Sequence, residues 1–246
     1  MITLYSFGPG FGLPELSPYC LKTEVQLKMA GLAYRKQPAM PSQSPKGQLP
    51  FIDDDGRVTA DSTFIRFYLE DEYAIDFDRG LTPRQWAQAW AVERMLENQL
   101  CWTMVHMRWV MPENFAKGPA HFFDRAPEEV QAQLRQEAKG RVADALRAVG
   151  VGRHTPDEIV ELGRYALVAL SELIGDQVYL GGERPCGVDA TAFAVLAAIL
   201  TPYFDSGLRR TAESFPNLVA YVGRMMARFF PEHPWGQAVV VEVEMA

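Results

Sequence analysis

The chain has 246 residues, 48% of them hydrophobic and 22% charged, the balance of a globular protein that can bury a substantial core. Its net charge of -7 argues against nucleic acid or an anionic membrane surface as the main partner. No apolar run approaches the ~20 residues of a membrane helix, and the opening MITLYSFG lacks the basic region and cleavage site of a secretory signal, so a cytoplasmic location is expected.

Cys20, Cys101 and Cys186 are odd in number and far apart, and the four histidines are scattered. Neither a disulfide framework nor a structural metal is expected from that spacing.

In chain order, ITLYS predicts a first strand. SPYCLKTEVQLKMAG follows as a helix, with Ser17 as its N-cap, Pro18 at its first position and Gly31 at its end. AYRKQPA predicts a second strand, and LPFIDDDGRVTA two short strands around a DDGR turn. DSTFIRFYLEDEY is a helix capped by Asp61 or Ser62. The character then changes. Residues 82–111 predict one long helix, capped by Thr82 with Pro83 at its first position. Helices are also expected over 127–149, 155–175 and 215–230, and VDATAFAVLAAIL, apolar nearly all round, predicts the buried central helix. The expected organisation is an α/β domain over 1–75, a linker over 76–81 and an all-helical domain over 82–246. In the tail, VVVEVE alternates in a way that suits a further strand or pairing with a neighbour.

Three short stretches of the first domain draw attention to chemistry. A helix start bears partial positive charge and free N–H groups, so Ser17 stands where a thiolate would be stabilised and where its hydroxyl can donate to one. Taken alone, the stretch reads first as a plain N-cap. Cys20, one turn on, reads as a packed thiol. The Leu49–Pro50 bond ahead of a strand is either an ordinary trans bond or a cis bond presenting the Leu49 backbone to an extended ligand. Asp61 and Ser62 open a helix in a way that suits a carboxylate ligand, or simple capping.

In this order and spacing the stretches resemble the glutathione transferase superfamily, with its thioredoxin-like first domain and helical second domain. SPYC is similar to the active-site turn, SPKGQLPFI to the glutathione-binding loop with its cis-proline, and ADSTFIRFYLE to the acid–serine pair that holds the γ-glutamyl group. CGVDATAFAV resembles the capping box of the buried helix, and FPNLVAYVGRM the final-helix motif. Within the superfamily the resemblance runs to the metaxin-like and failed-axon-connections-like branch, which has non-enzymatic members.

The resemblance implies that Ser17 hydrogen-bonds the thiolate of glutathione and that the Leu49 backbone, before Pro50, pairs with the cysteinyl unit. It implies that Asp61 and Ser62 hold the γ-glutamyl end, with Gln48, and less directly Lys46, near the glycyl end. Glutathione is then the co-substrate, with no metal, and a hydrophobic electrophile the second substrate. Its pocket is expected between the domains, walled by Trp102, Met104, Met107 and Trp109, although for any one of them a place in the core is the plainer reading. The resemblance further implies a homodimer and a detoxifying conjugation. Two departures stand out: the long loop over 8–16, and Cys186 in the place of the capping Ser or Thr ahead of Asp189. Three functions follow, a glutathione transferase, a non-catalytic binding or adaptor protein of that fold, and a glutathione-dependent oxidoreductase using Cys20. With Ser17 in the first position of the C-P-Y-C-like motif, a dithiol route through that position is lost.

Overall fold

A computed structural model describes residues 1–235. Its first part is a four-stranded sheet in the order β2-β1-β3-β4, made of β1 (Ile2–Ser6), β2 (Tyr34–Pro38), β3 (Phe51–Asp54) and β4 (Arg57–Ala60). β1 pairs parallel with β2 and antiparallel with β3, and β3 pairs antiparallel with β4. The β3–β4 turn places Asp55 and Gly56 at positive φ, 50° and 97°, as a tight hairpin of this hand requires.

Strand alternation divides the side chains. Ile2, Leu4 and Ile52 join Leu27 of α1 (Pro18–Met29) and Ile65 and Leu69 of α2 (Ser62–Glu72) in one cluster. Phe51, Leu49 and Ala60 join Cys20 in another, with Tyr5 stacked on Phe51 at 4.2 Å. Thioredoxin-like α/β order thus ends with α2.

From Pro83 onward the described chain is helical: α3 (Pro83–Met95), α4 (Cys101–Trp109), α5 (Pro112–Lys117), α6 (Glu128–Ala148), α7 (Pro156–Ile174), α8 (Gly187–Leu200), α9 (Gly207–Glu213) and α10 (Pro216–Phe229). Every residue of α8 is buried, as its all-round apolar pattern demands. α8 packs along α1, which is why α1 has no clean polar face. At its start Asp189 accepts the Cys186 N–H at 2.8 Å, which supplies the acid half of the cap despite the thiol.

Two corrections concern the helical domain. The expected single helix over 82–111 is interrupted by a π-helical turn, Leu96–Leu100, between α3 and α4. The short helices α5 and α9 were not expected at all. The VVVEVE segment lies outside the described residues.

The two domains are joined through buried charge. Lys22 of α1 donates to Glu93 Oε1 at 2.6 Å and to Glu97 Oε1 at 2.7 Å. Arg66 of α2 bonds Asp78 Oδ2 at 2.5 Å and Glu93 Oε2 at 3.5 Å, and Asp78 accepts the Gly187 N–H at 3.0 Å. Each ion has a partner, which is the condition for burying it.

Candidate functional site

Ser17 is the N-cap of α1, in extended backbone, with Pro18 at the first helical position. Its Oγ accepts the Cys20 N–H at 3.4 Å. An oxygen used as an acceptor keeps its own proton to donate, so the hydroxyl can still serve a second partner.

The loop over 8–16 is tied to the helical domain and does not hang free. Arg108 Nη1 donates to Leu16 O at 3.2 Å, and Nη2 to Ala198 O at 2.6 Å. Thr201 Oγ1 donates to Phe11 O at 2.6 Å, and the Phe11 ring meets those of Tyr203 and Phe204. Glu15 is buried in this loop, its Oε2 accepting the Gly8 N–H at 3.0 Å and lying 3.4 Å from Lys36 Nζ. Burial pushes the Glu15 carboxyl up, against the pull of Lys36 and of the Gly8 and Ser17 backbone N–H groups.

Cys20 is fully buried, and burial, reinforced by Glu15, pushes its thiol well up. A reactive cysteine needs the opposite environment. Cys101 and Cys186 are buried too, with Cys101 pushed up to about 11 by desolvation. The folded protein is therefore expected to give no fast reaction with an aromatic disulfide reagent, and three thiols after denaturation. One thiol titrating in the native state within minutes would contradict this burial.

The Leu49–Pro50 bond is cis. Asp61, not Ser62, caps α2: its Oδ1 accepts the Thr63 and Phe64 N–H groups at 2.9 and 3.4 Å, with φ at 82°. Gln48 Nε2 reaches Asp61 Oδ2 at 3.5 Å.

These residues meet at one cavity of about 350 Å³, within the usual size range of small-molecule sites. Gln48, Leu49, Pro50, Asp61 and Ser62 line it from the sheet domain, and Trp102 from the helical domain. Ser17 does not line it, although Tyr19, two residues on, does. Lys46 stands apart, its Nζ 3.9 Å above the exposed Phe64 ring. A larger groove of about 940 Å³, at the end of α1 near Met29, Leu81 and Arg228, holds none of these residues.

The expected apolar wall needs correction. Met104 and Met107 are buried among the core of the helical domain, because their face of α4 turns toward the other helices. Trp109 packs against Phe115 and Phe122 rather than on this cavity. Of the four, Trp102 alone lines it. The sequence also left out Arg94, Glu97 and Asn98, which line the cavity too. Glu97 and Asn98 sit in the π-helical turn, a feature common near functional sites and without a distinctive sequence signal.

A family model for the glutathione S-transferase N-terminal domain matches residues 18–114, and one for the C-terminal domain matches 163–225. The chain belongs to the glutathione S-transferase superfamily. It is 36% identical over 245 residues to Failed axon connections of Drosophila melanogaster, covering 94% of this chain and 59% of that protein. So the chain spans less than two thirds of that relative's length. To the isoprene-epoxide–glutathione S-transferase of Rhodococcus sp. strain AD45 it is 29% identical over 239 residues, covering 93% of this chain and 99% of the other. Among solved structures, the β-etherase LigF from Sphingobium shares the fold at a TM-score of 0.67 and 22% identity, over 98% of this chain and 99% of the other.

Proposed function

We propose that this protein is a glutathione transferase, which joins the thiolate of glutathione to a hydrophobic electrophile. The observation that carries the reading is the convergence of Gln48, Leu49, cis-Pro50, Asp61 and Ser62 on one cavity faced by Trp102. The Leu49 backbone and the start of α2 bind the tripeptide, since a helix N-terminus favours a carboxylate. Ser17 donates its hydroxyl to the sulfur, which lowers the pKa of the bound thiol. The thiolate attacks the electrophile, the new carbon–sulfur bond forms, and the leaving group or ring oxygen takes up the displaced electron pair. Trp102 offers an apolar face to the electrophile. No metal is needed for this step.

The test is conjugation with excess glutathione and either a chromogenic aryl halide or a small epoxide, the latter because the Rhodococcus relative's name pairs glutathione with one. The expected product is the glutathione adduct by mass spectrometry. Turnover no faster than the uncatalysed reaction sinks the catalytic reading.

A second reading, a non-catalytic binding or adaptor protein of this fold, draws on the place of Ser17. Ser17 stands outside the cavity that Gln48, Leu49, Pro50, Asp61 and Ser62 line, and Glu15 is buried in the loop before it. The oxidoreductase reading is weaker, because Cys20 is buried with its thiol pushed up.

We propose a cytoplasmic homodimer with a detoxifying role. Phe64 and Phe67 of α2 and Trp86 and Trp90 of α3 are exposed, and Phe67, Trp86 and Trp90 line one cavity together with Arg66, Glu70, Asp76 and Asp78. Such a patch suits a second copy. Light scattering is expected to give twice the 27.6 kDa chain mass. A single-chain mass at micromolar concentration contradicts the dimer.

A further inference from the structure

One buried ion plays no part in the chemistry proposed above. Arg108 of α4 is 5% exposed, yet among the described residues it pairs with no carboxylate. Burial lowers its guanidinium to about 10, so it still carries its charge at neutral pH. A charge buried in this way costs stability, and an apolar side chain of similar volume would avoid that cost. What Arg108 supplies instead is a pair of oriented donors. Nη2 donates to Ala198 O at 2.6 Å. That carbonyl lies in the last turn of α8, and its helical partner would be the N–H of residue 202, which is a proline. Nη1 donates to Leu16 O at 3.2 Å. The ion thus sits at the negative end of α8, 5.0 Å from the Phe204 ring and 5.5 Å from the Phe11 ring.

Leu16 O belongs to the peptide unit whose N–H is that of Ser17. The Ser17 N–H faces the carboxyl of Glu15, which is fully buried. Glu15 is anchored in turn by the Gly8 N–H at 3.0 Å and by Lys36 Nζ at 3.4 Å. One planar peptide is therefore gripped at its oxygen by a cation from the helical domain and at its N–H by an acid from the loop before α1. With that plane held at both edges, the freedom left to the Ser17 hydroxyl is chiefly its side-chain torsion. The Cys20 N–H, 3.4 Å from Oγ, restrains that torsion.

We infer that Arg108 is a positioning residue for Ser17: from the helical domain it holds the Leu16–Ser17 peptide against Glu15, and so sets where the hydroxyl stands relative to the sulfur. The inference rests on the glutathione reading above and adds to it a residue that touches neither substrate. Arg108 acts on the chemical step through Ser17, not on the hold on the tripeptide.

The test is steady-state conjugation by wild type, Ser17→Ala, Arg108→Met, Arg108→Lys and each Arg108 variant combined with Ser17→Ala. Glutathione and a chromogenic aryl halide are the substrates, and thermal unfolding checks that each variant is folded. Arg108→Met is expected to lower kcat about tenfold, the scale of a misplaced catalytic group, and to change KM for glutathione less than about threefold. Arg108→Lys keeps the charge with a poorer fork and should lose less. On the Ser17→Ala background either change should cost less than about twofold more, because residues that act as one unit are not additive. Should Arg108→Met not fold, the Arg108→Lys cycle decides by the same criterion. A loss that multiplies with that of Ser17→Ala, or an unchanged kcat in a folded Arg108→Met, overturns the assignment and leaves the transferase reading standing. A wild type without turnover overturns the transferase reading, and this assignment with it.

Discussion

Asp189→Ala is expected to lower the free energy of unfolding by about 4 kcal/mol. Asp189 is fully buried at the start of α8 and accepts the N–H groups of Leu180, Gly181 and Cys186 at 2.9, 3.2 and 2.8 Å. It also accepts the Tyr221 hydroxyl at 2.8 Å, which ties α8 to α10. Burial pushes the carboxyl up, and the Cys186 and Leu180 N–H groups, the Tyr221 hydroxyl and the Cys186 thiol pull it back. Removing the acceptor strands several buried donors at about 1–3 kcal/mol each, less whatever relaxation recovers. Asp189→Asn keeps one acceptor oxygen and is expected to lose about half as much. Urea unfolding of the three proteins decides it. A loss under about 1 kcal/mol for the alanine variant would mean that the loop before α8 finds other acceptors.

Ser17→Ala is expected to reduce conjugation about ten- to a hundredfold and to raise the pKa of bound glutathione. The hydroxyl accepts from the Cys20 N–H and so keeps its proton to donate to the sulfur. A hydrogen bond to a charged group contributes about 1.5–3 kcal/mol, which sets that range if the bond persists in the transition state. Cys20→Ser should leave the rate nearly unchanged if the variant folds, since Cys20 is buried and its thiol is pushed up. A pH–rate profile with excess glutathione measures both. An active enzyme indifferent to Ser17→Ala would transfer the role to another donor, such as the Tyr19 hydroxyl at the cavity edge.

Local chemistry made much of this fold legible. Ser17–Pro18, Thr82–Pro83 and Thr155–Pro156 mark helix starts by a side-chain cap followed by a proline that needs no donor, and each starts a helix in the structure. Asp55–Gly56 marks the hairpin because few other pairs accept positive φ twice. The break between α3 and α4 was not legible. No glycine or proline marks it, and its phase shift accompanies the pairing of Glu93 and Glu97 with Lys22, a contact between residues far apart in the chain. For the same reason α4 misled. Periodicity shows that Trp102, Met104, Met107 and Trp109 are apolar positions, but not which of them meet helices and which a cavity. Gln48, Leu49, Pro50, Asp61 and Ser62 were singled out together by the family resemblance, since each alone reads as a cap or an ordinary proline; the structure adds that they line one cavity. Arg94 was not legible, since only the docking of the domains brings it to α2.

The most direct measurement is calorimetric titration of the purified chain with glutathione at neutral pH. A saturable site, one per chain, is expected, and Ser62→Ala and Asp61→Ala should weaken it at least tenfold while the variants remain folded. Absence of saturable heat up to millimolar glutathione in a folded wild-type protein would contradict it.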